Sequence, residues 1–328
     1  MTKLRIAGLV LGAVAGLAAP ARAQFDGARI YWTLPINTNI LGVTTVRGTI
    51  NAAWTNFQRI EPSVRVNNNL YLLSYSRTFG LFGRSAMATL MLPAGAIGTD
   101  ASTPPGAGVA SEFVHGVGDP SLGLWVNLVG APRQRVRDFV RYEQGTTVAL
   151  SFAGKAPVGQ YDAGSTLNIG SNQWKAKLGL PIVQGLGSWT PGSRMTLEVL
   201  PSVTFSGDNG DALGQTIAQD PTIAVESHLT RDVTKRAFVS LDYTYLRLGQ
   251  ATYTDNTTGM VSRSSNAVGT HLVGVTAGFE INDNMRLFVT HQQTASSDVS
   301  NVDLQGELLK VTLSWSWHTV LERLRDLK

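Results

Sequence analysis

The residues best placed to act on another molecule in this 328-residue chain are charges that recur on one side of alternating segments: Arg77, Asp119, Lys155, Lys175, Lys177, Glu198, Glu226, Asp242, Glu280, Arg286 and Lys310. Charges of both signs that alternate with apolar neighbours describe a wall with one wet face, where they steer, hold or block a solute. The mixture predicts salt-bridged walls around a narrow passage, with little preference between cations and anions. A second chemistry to weigh is hydrolysis. His271 and His291 fall near the ends of neighbouring segments, with Ser296 and Ser297 close behind, but no Gly-x-Ser-x-Gly elbow accompanies them. Two histidines without a third ligand are too few for a metal site, and no GxxxxGK[ST] loop is present to hold a phosphate. No cofactor is expected, and the chain is read as a non-enzyme. Asp119, within the run GVGDPSLG, has two readings: a turn residue beside glycine and proline, or a lumen charge near the outer mouth that orders a loop or meets a solute.

The elements that must position these residues show a period of two. Met195, Leu197, Val199, Val203 and Phe205 share one face, and Thr196, Glu198, Ser202 and Thr204 the other. The same alternation runs near 237–246, 270–281 and 308–318, and further strands are expected near 40–49, 69–79, 85–92, 119–129, 145–155, 173–183, 221–230 and 285–293. About twelve strands joined by connections that are long and short in turn describe an all-β fold, a transmembrane antiparallel up-and-down β-barrel. The long connections are expected near 50–68, 93–118, 156–172, 206–220, 247–269 and 294–307, and the tight ones near 80–84, 231–236 and 282–284. Two stretches depart from this sorting: 184–194, and 130–144, whose Arg133, Arg135, Arg137 and Arg141 fit a solvated turn with a short amphipathic helix. Tyr71, Tyr75, Trp125, Trp174, Tyr243, Tyr245, Trp315 and Trp317 gather near strand ends, as the aromatic girdles of such barrels do.

Composition agrees. Mean hydropathy is +0.02, because each strand hides its apolar half from a sliding average. The first residues carry Lys3 and Arg5, an apolar run from Ile6 to Ala19 and the small-x-small site Ala21-Arg22-Ala23. That predicts a signal peptide over 1–23, the run being shorter than the ~20 residues that span a bilayer. Losing Lys3, Arg5 and Arg22 lowers the formal charge from +4 to +1, so the basic balance implies no nucleic-acid partner. The chain has no cysteine, which excludes disulfides and thiolate metal sites. The expected organisation is a signal peptide over 1–23, a barrel over 24–318 and a tail over 319–328.

The segments LLSYSRTFGLFGRSA (72–86), GVGDPSLGLWVNLVGAP (116–132), KAPVGQYD (155–162), NIGSNQWKAK (168–177) and GDNGD (207–211) with QDP (219–221) resemble the outer-membrane meta-pathway phenol-degradation transporter-like family. The resemblance implies a bacterial outer-membrane barrel that passes small hydrophobic or aromatic compounds. Its partners would be outer-membrane lipid, such a solute and the barrel-assembly machinery. A structural or surface-interaction barrel, and an outer-membrane hydrolase, are the alternatives. One departure stands out. Barrels of this kind usually end on an aromatic residue, whereas Trp317 is followed by HTVLERLRDLK.

Overall fold

The computed structural model describes residues 26–50, 54–55, 59–60, 64–101, 113–165, 167–263, 268–298 and 306–318. Both the expected signal peptide and the expected tail lie outside the described residues. Twelve antiparallel strands close on themselves. They are β1 (Thr38–Ile50), β2 (Val64–Leu81), β3 (Arg84–Ala101), β4 (Phe113–Val117 and Ser121–Val129), β5 (Thr146–Lys155) and β6 (Lys175–Gly179 and Ile182–Leu186). The second half is β7 (Met195–Ser206), β8 (Thr222–Thr234), β9 (Ala237–Leu248), β10 (Val268–Glu280), β11 (Met285–Ser297) and β12 (Gly306–His318). The seam is β1 on β12, in continuous register from Thr38↔His318 to Ile50↔Gly306. Among the described residues no helix is long and apolar enough to cross a membrane. The strands do the crossing.

Every strand expected from the alternation is present, and several run further. β2 and β3 extend to Val64 and Ala101, so they occupy part of what the sequence assigns to the connections 50–68 and 93–118. The tight turns between β2 and β3, between β8 and β9, and between β10 and β11 lie at one end. The first of these turns on Phe82 (φ 49°) and Gly83 (φ 75°), the positive-φ pair that matches strand twist in a two-residue hairpin. The stretch 130–144 does contain a short helix, α1 (Val136–Phe139), and its four arginines are exposed. At the opposite end the long connections build structure of their own: Asn209–Ala212, Gln215–Gln219, Ala251–Asp255 and Val261–Arg263 form a small four-stranded sheet.

Two wall strands are interrupted at prolines. β4 breaks at Gly118-Asp119-Pro120 and β6 at Leu180-Pro181. Proline donates no backbone hydrogen bond, so neighbours complete the ladder around each break. Gly118 N–H donates to Pro93 O (2.8 Å) and Ala156 N–H to Pro120 O (3.1 Å), while Leu180 N–H reaches Pro201 O (3.0 Å) and Ala149 N–H reaches Pro181 O (2.8 Å).

The two faces differ as the period demands. Leu41, Leu73, Leu197, Leu241, Val275 and Leu313 stand exposed on the outside. Inside, hydroxyls pair across strands: Thr44 with Thr312 (2.8 Å), Ser76 with Thr89 (2.8 Å), Thr196 with Thr230 (2.7 Å) and Thr276 with Thr290 (2.9 Å). Two assignments made from sequence are corrected. Arg77 does not face the lumen. On β2 the buried Leu72, Ser76 and Thr78 point inward, so Arg77 is exposed on the outer face with Leu73 and Tyr75, four residues from the strand end. An arginine that close to a strand end can lay its stem along apolar wall and reach the polar interface with its head. Trp125 belongs to no outer girdle either. It is 6% exposed and points inward, whereas Tyr71, Tyr75, Tyr243 and Trp315 are exposed outside.

The register sets a test. Leu241, 64% exposed at the middle of β9, faces lipid. Leu241→Arg should lower barrel stability by about 2–4 kcal/mol in a urea titration of vesicle-embedded protein, while Arg77→Leu at the rim should change it by less than about 1 kcal/mol. A loss of less than about 1 kcal/mol for Leu241→Arg would mean that the faces are misassigned.

Candidate functional site

The lumen is not empty. Residues 26–37, which precede β1, fold back into it and meet the far wall. The wall there carries carboxylates that water does not reach: Glu198 is 0% and Glu226 1% exposed. An unpaired buried carboxylate is costly, so each must find donors. Glu198 accepts the Arg29 backbone N–H (2.8 Å), the Trp32 indole N–H (2.9 Å) and the Thr196 hydroxyl (2.9 Å). Glu226 receives the backbone N–H groups of Asp26 (3.3 Å) and Gly27 (3.4 Å).

The Arg29 side chain completes the attachment. Its Nη1 lies 2.6 Å from Asp232 Oδ1 and its Nε donates to Thr230 Oγ1 (3.0 Å). The guanidinium is sandwiched between the rings of Trp32 (4.0 Å) and Phe238 (3.9 Å). Asp232 also binds Arg194 (2.8 Å) and the Gly192 N–H (3.0 Å), which ties the connection before β7 to the same point. On the other side of the segment Tyr31 packs edge-on against Trp125, within a buried cluster of Met87, Ala149, Val183 and Leu200.

The sequence-predicted lumen charges sort into four groups. Lys177 and Lys310 reach the inserted segment: Lys177 Nζ is 3.1 Å from Asp26 Oδ2 and 3.9 Å from Glu226 Oε1, and Lys310 Nζ is 3.5 Å from Asp26 O. Glu198, Glu226 and Asp242 line the wall. Asp242 accepts His228 Nδ1–H (2.8 Å), Ser240 Oγ–H (2.5 Å) and Thr276 Oγ1–H (2.5 Å). His228, which sequence reasoning passed over, is thus held between Asp242 and Glu226, its Nε2 3.8 Å from the latter. Glu280 and Arg286 keep the inward register but sit at the short-turn rim, half-exposed and paired at 3.4 Å. They do not join the central cluster.

Asp119, Lys155 and Lys175 form the fourth group, near the long-loop end. The Asp119 carboxylate takes Gly159 N–H (2.9 Å), Ser171 N–H (2.8 Å), Ser171 Oγ–H (2.6 Å) and Lys155 Nζ (3.3 Å). It ties the connection 156–174 across the break in β4. Both readings made from sequence hold in part: Asp119 marks an interruption of a strand and also orders a loop. Gly159 is needed for that approach, since a Cβ there would stand 2.5 Å from Gly118 C. From Tyr161 the tether continues outward: its hydroxyl donates to Asp211 O (2.7 Å) and accepts Asn209 Nδ2–H (2.8 Å). Burial lifts the Tyr161 phenol above its ordinary pKa and keeps it a donor at any physiological pH. The KAPVGQYD and GDNGD runs are therefore two sides of one contact.

Above the inserted segment the lumen wall turns apolar. Val46, Leu70, Leu72 and Leu308 form one buried inward cluster with Met91 against it, and Leu246 and Leu272 another with Ala224 and Leu248. What sequence reading missed was this vertical sorting and the inserted segment. Its only signal was a density of charge and aromatic residues over Asp26–Trp32, with no alternation, just after the expected cleavage site. His271 and His291 lie on the outer face as expected. The Nδ1 of His271 is 2.8 Å from the Tyr243 hydroxyl and its ring packs on Tyr245, an aromatic cluster at the interface.

The family model described as "Putative MetA-pathway of phenol degradation" matches residues 47–310. A solved outer-membrane channel of the COG4313 group from Pseudomonas putida F1 superposes with a TM-score of 0.72 at 18% identity, covering 90% of this chain and all of that one. The transport unit of the autotransporter AIDA-I from Escherichia coli gives 0.50 at 9% identity, covering 95% and 99%. No curated protein matches the chain. The fold is that of outer-membrane barrels.

Because the Asp119 carboxylate gathers Gly159, Ser171 and Lys155 at one point, Asp119→Ala should leave two backbone donors and Lys155 without it. Added protease should then cut within 156–174 in the refolded variant and spare the parent, with the barrel's heat-shift on gels retained. An uncut connection would show that other contacts suffice.

Proposed function

The chain belongs to this phenol-degradation MetA-pathway family, and from that premise we propose that it is a channel for passive passage of small hydrophobic or aromatic compounds across the outer membrane. The observation that carries the reading is the order of environments along the lumen. Apolar clusters of Val46, Leu70, Leu72, Leu308, Leu246 and Leu272 lie toward the outer mouth, followed by a polar mid-section closed by residues 26–37. A compound poor in hydrogen-bonding groups loses little on entering the first and cannot hydrate its way through the second. Passage therefore requires that the inserted segment move or part from the wall. An ion would have to displace the same segment with nothing apolar to gain, so conduction in the resting barrel is low. The superposed channel from Pseudomonas putida F1 supports the fold on which this reading is built. No catalytic arrangement is needed.

Two measurements check this. Cells whose outer membrane carries the barrel should accumulate labelled small aromatics faster than cells without it, and equal rates would remove the channel reading in favour of a structural barrel. Removing Arg29 and Trp32 as side chains (Arg29→Ala with Trp32→Ala) should turn a small, irregular conductance in planar bilayers into a larger and steadier one, because these two side chains hold the segment to Glu198 and Asp232. Unchanged conductance would show that the segment does not close the path.

A further inference from the structure

Lys155 and Lys175 are directly opposed cross-strand partners on the inner face of β5 and β6. Like charges in that position repel, and a fold that keeps them must gain something else. The charged groups that bear on Lys175 are Lys155 and Asp119 alone. Asp119 is already committed to Lys155, Ser171 and Gly159. Among the described residues Lys175 has no hydrogen bond or ion pair, and the triad carries one positive charge more than it can pair. By contrast, the deeper Lys177 and Lys310 are both engaged with the inserted segment.

The register shows what lies beside this surplus charge. Lys175 pairs with Lys155, Lys155 with Ser121, and Ser121 with Met91, all inward. Met91 packs against the cluster of Val46, Leu70, Leu72 and Leu308. At about 4.8 Å per strand, the backbone of Lys155 stands roughly 10 Å from that of Met91, at the edge of that apolar patch, with only a serine between. One surplus cation and an apolar wall at that distance match a small molecule with one anionic end and an apolar body. A phosphate dianion would meet one surplus charge and gain nothing from the leucines.

We infer that Lys175, with Lys155 beside it, is a subsite for the carboxylate of a small apolar monocarboxylic acid. Its hydrocarbon body would lie along Ser121 and Met91. The inference rests on the proposed channel function and narrows its solute class to aromatic or short aliphatic acids.

The test uses the full chain refolded in detergent, with its heat-shift on gels as the folding control. Binding of benzoate, hexanoate and benzyl alcohol is measured by calorimetry. The two carboxylates should bind more tightly than the alcohol, and Lys175→Gln should weaken them roughly tenfold while leaving the alcohol unchanged. Lys175→Arg should restore them. Should Lys175→Gln not refold, Lys175→Met makes the same comparison. Tighter binding of benzoate than of hexanoate, or the reverse, identifies which acid the body of the site prefers, and either order supports the subsite. Equal affinity for benzoate and benzyl alcohol, or carboxylate affinity untouched by the loss of Lys175, overturns it. Should carboxylates fail to bind while cells still accumulate neutral aromatics, this inference falls and the channel reading stands. Should benzoate bind in a Lys175-dependent way without any uptake, the channel reading falls instead.

Discussion

Hydrocarbon offers no partner to a backbone N–H or C=O, and the whole architecture answers that fact. The wall has to close, which the β1–β12 seam does in continuous register. Where proline interrupts a strand, the groups around it have to find partners elsewhere, as the N–H groups of Gly118, Ala156, Ala149 and Leu180 do on the carbonyls of Pro93, Pro120, Pro181 and Pro201. The same demand acts on side chains inside. A wall that places Glu198, Glu226 and Asp232 out of water must bring donors to them, and wall neighbours alone do not supply enough. Residues 26–37 bring the remainder, so the place of this segment inside the lumen follows from the charges of the wall itself.

That dependence also orders the lumen from end to end. Polar pairing saturates the middle and short-turn half, while the half toward the long connections sets clusters of leucine, valine and methionine beside the Asp119–Lys155–Lys175 group. Lys175 stands at the boundary between the two. The connection 156–174 meets this boundary at one buried carboxylate, Asp119, and is tied further out through Tyr161. Membership of a family described as "Putative MetA-pathway of phenol degradation" and an apolar outer lumen are independent observations, and both support the proposed solute class.

Strand alternation was legible because burial on one side only leaves a period of two in the sequence, and it located all twelve strands within a few residues except where β2 and β3 run on. Ends were less legible: near the rim the outer face tolerates charge and the inner face tolerates apolar groups, so the period fades. Arg77 was misassigned for this reason, since its charge suggested a wet face while Leu73 and Tyr75 in step with it face lipid. Trp125 was misread in the opposite sense, an aromatic that serves an internal contact with Tyr31. The inserted segment could not be read at all. It is irregular, its partners are wall residues far along the chain, and no local pattern announces a contact of that range.

The distance along the chain has its own meaning. Arg29 meets Asp232 across 203 positions and Trp32 meets Glu198 across 166. Contacts of such high sequence separation form late, because the chain between must already be ordered before they repay their entropy. The first residues of the described chain are consequently among the last to settle. They wait for β7 and β8 to exist and must be inside before the β1–β12 seam, whose partners lie still further apart in the chain, zips shut: a segment made early is fixed late, and the wall is assembled around it as a cooper raises staves around a stopper.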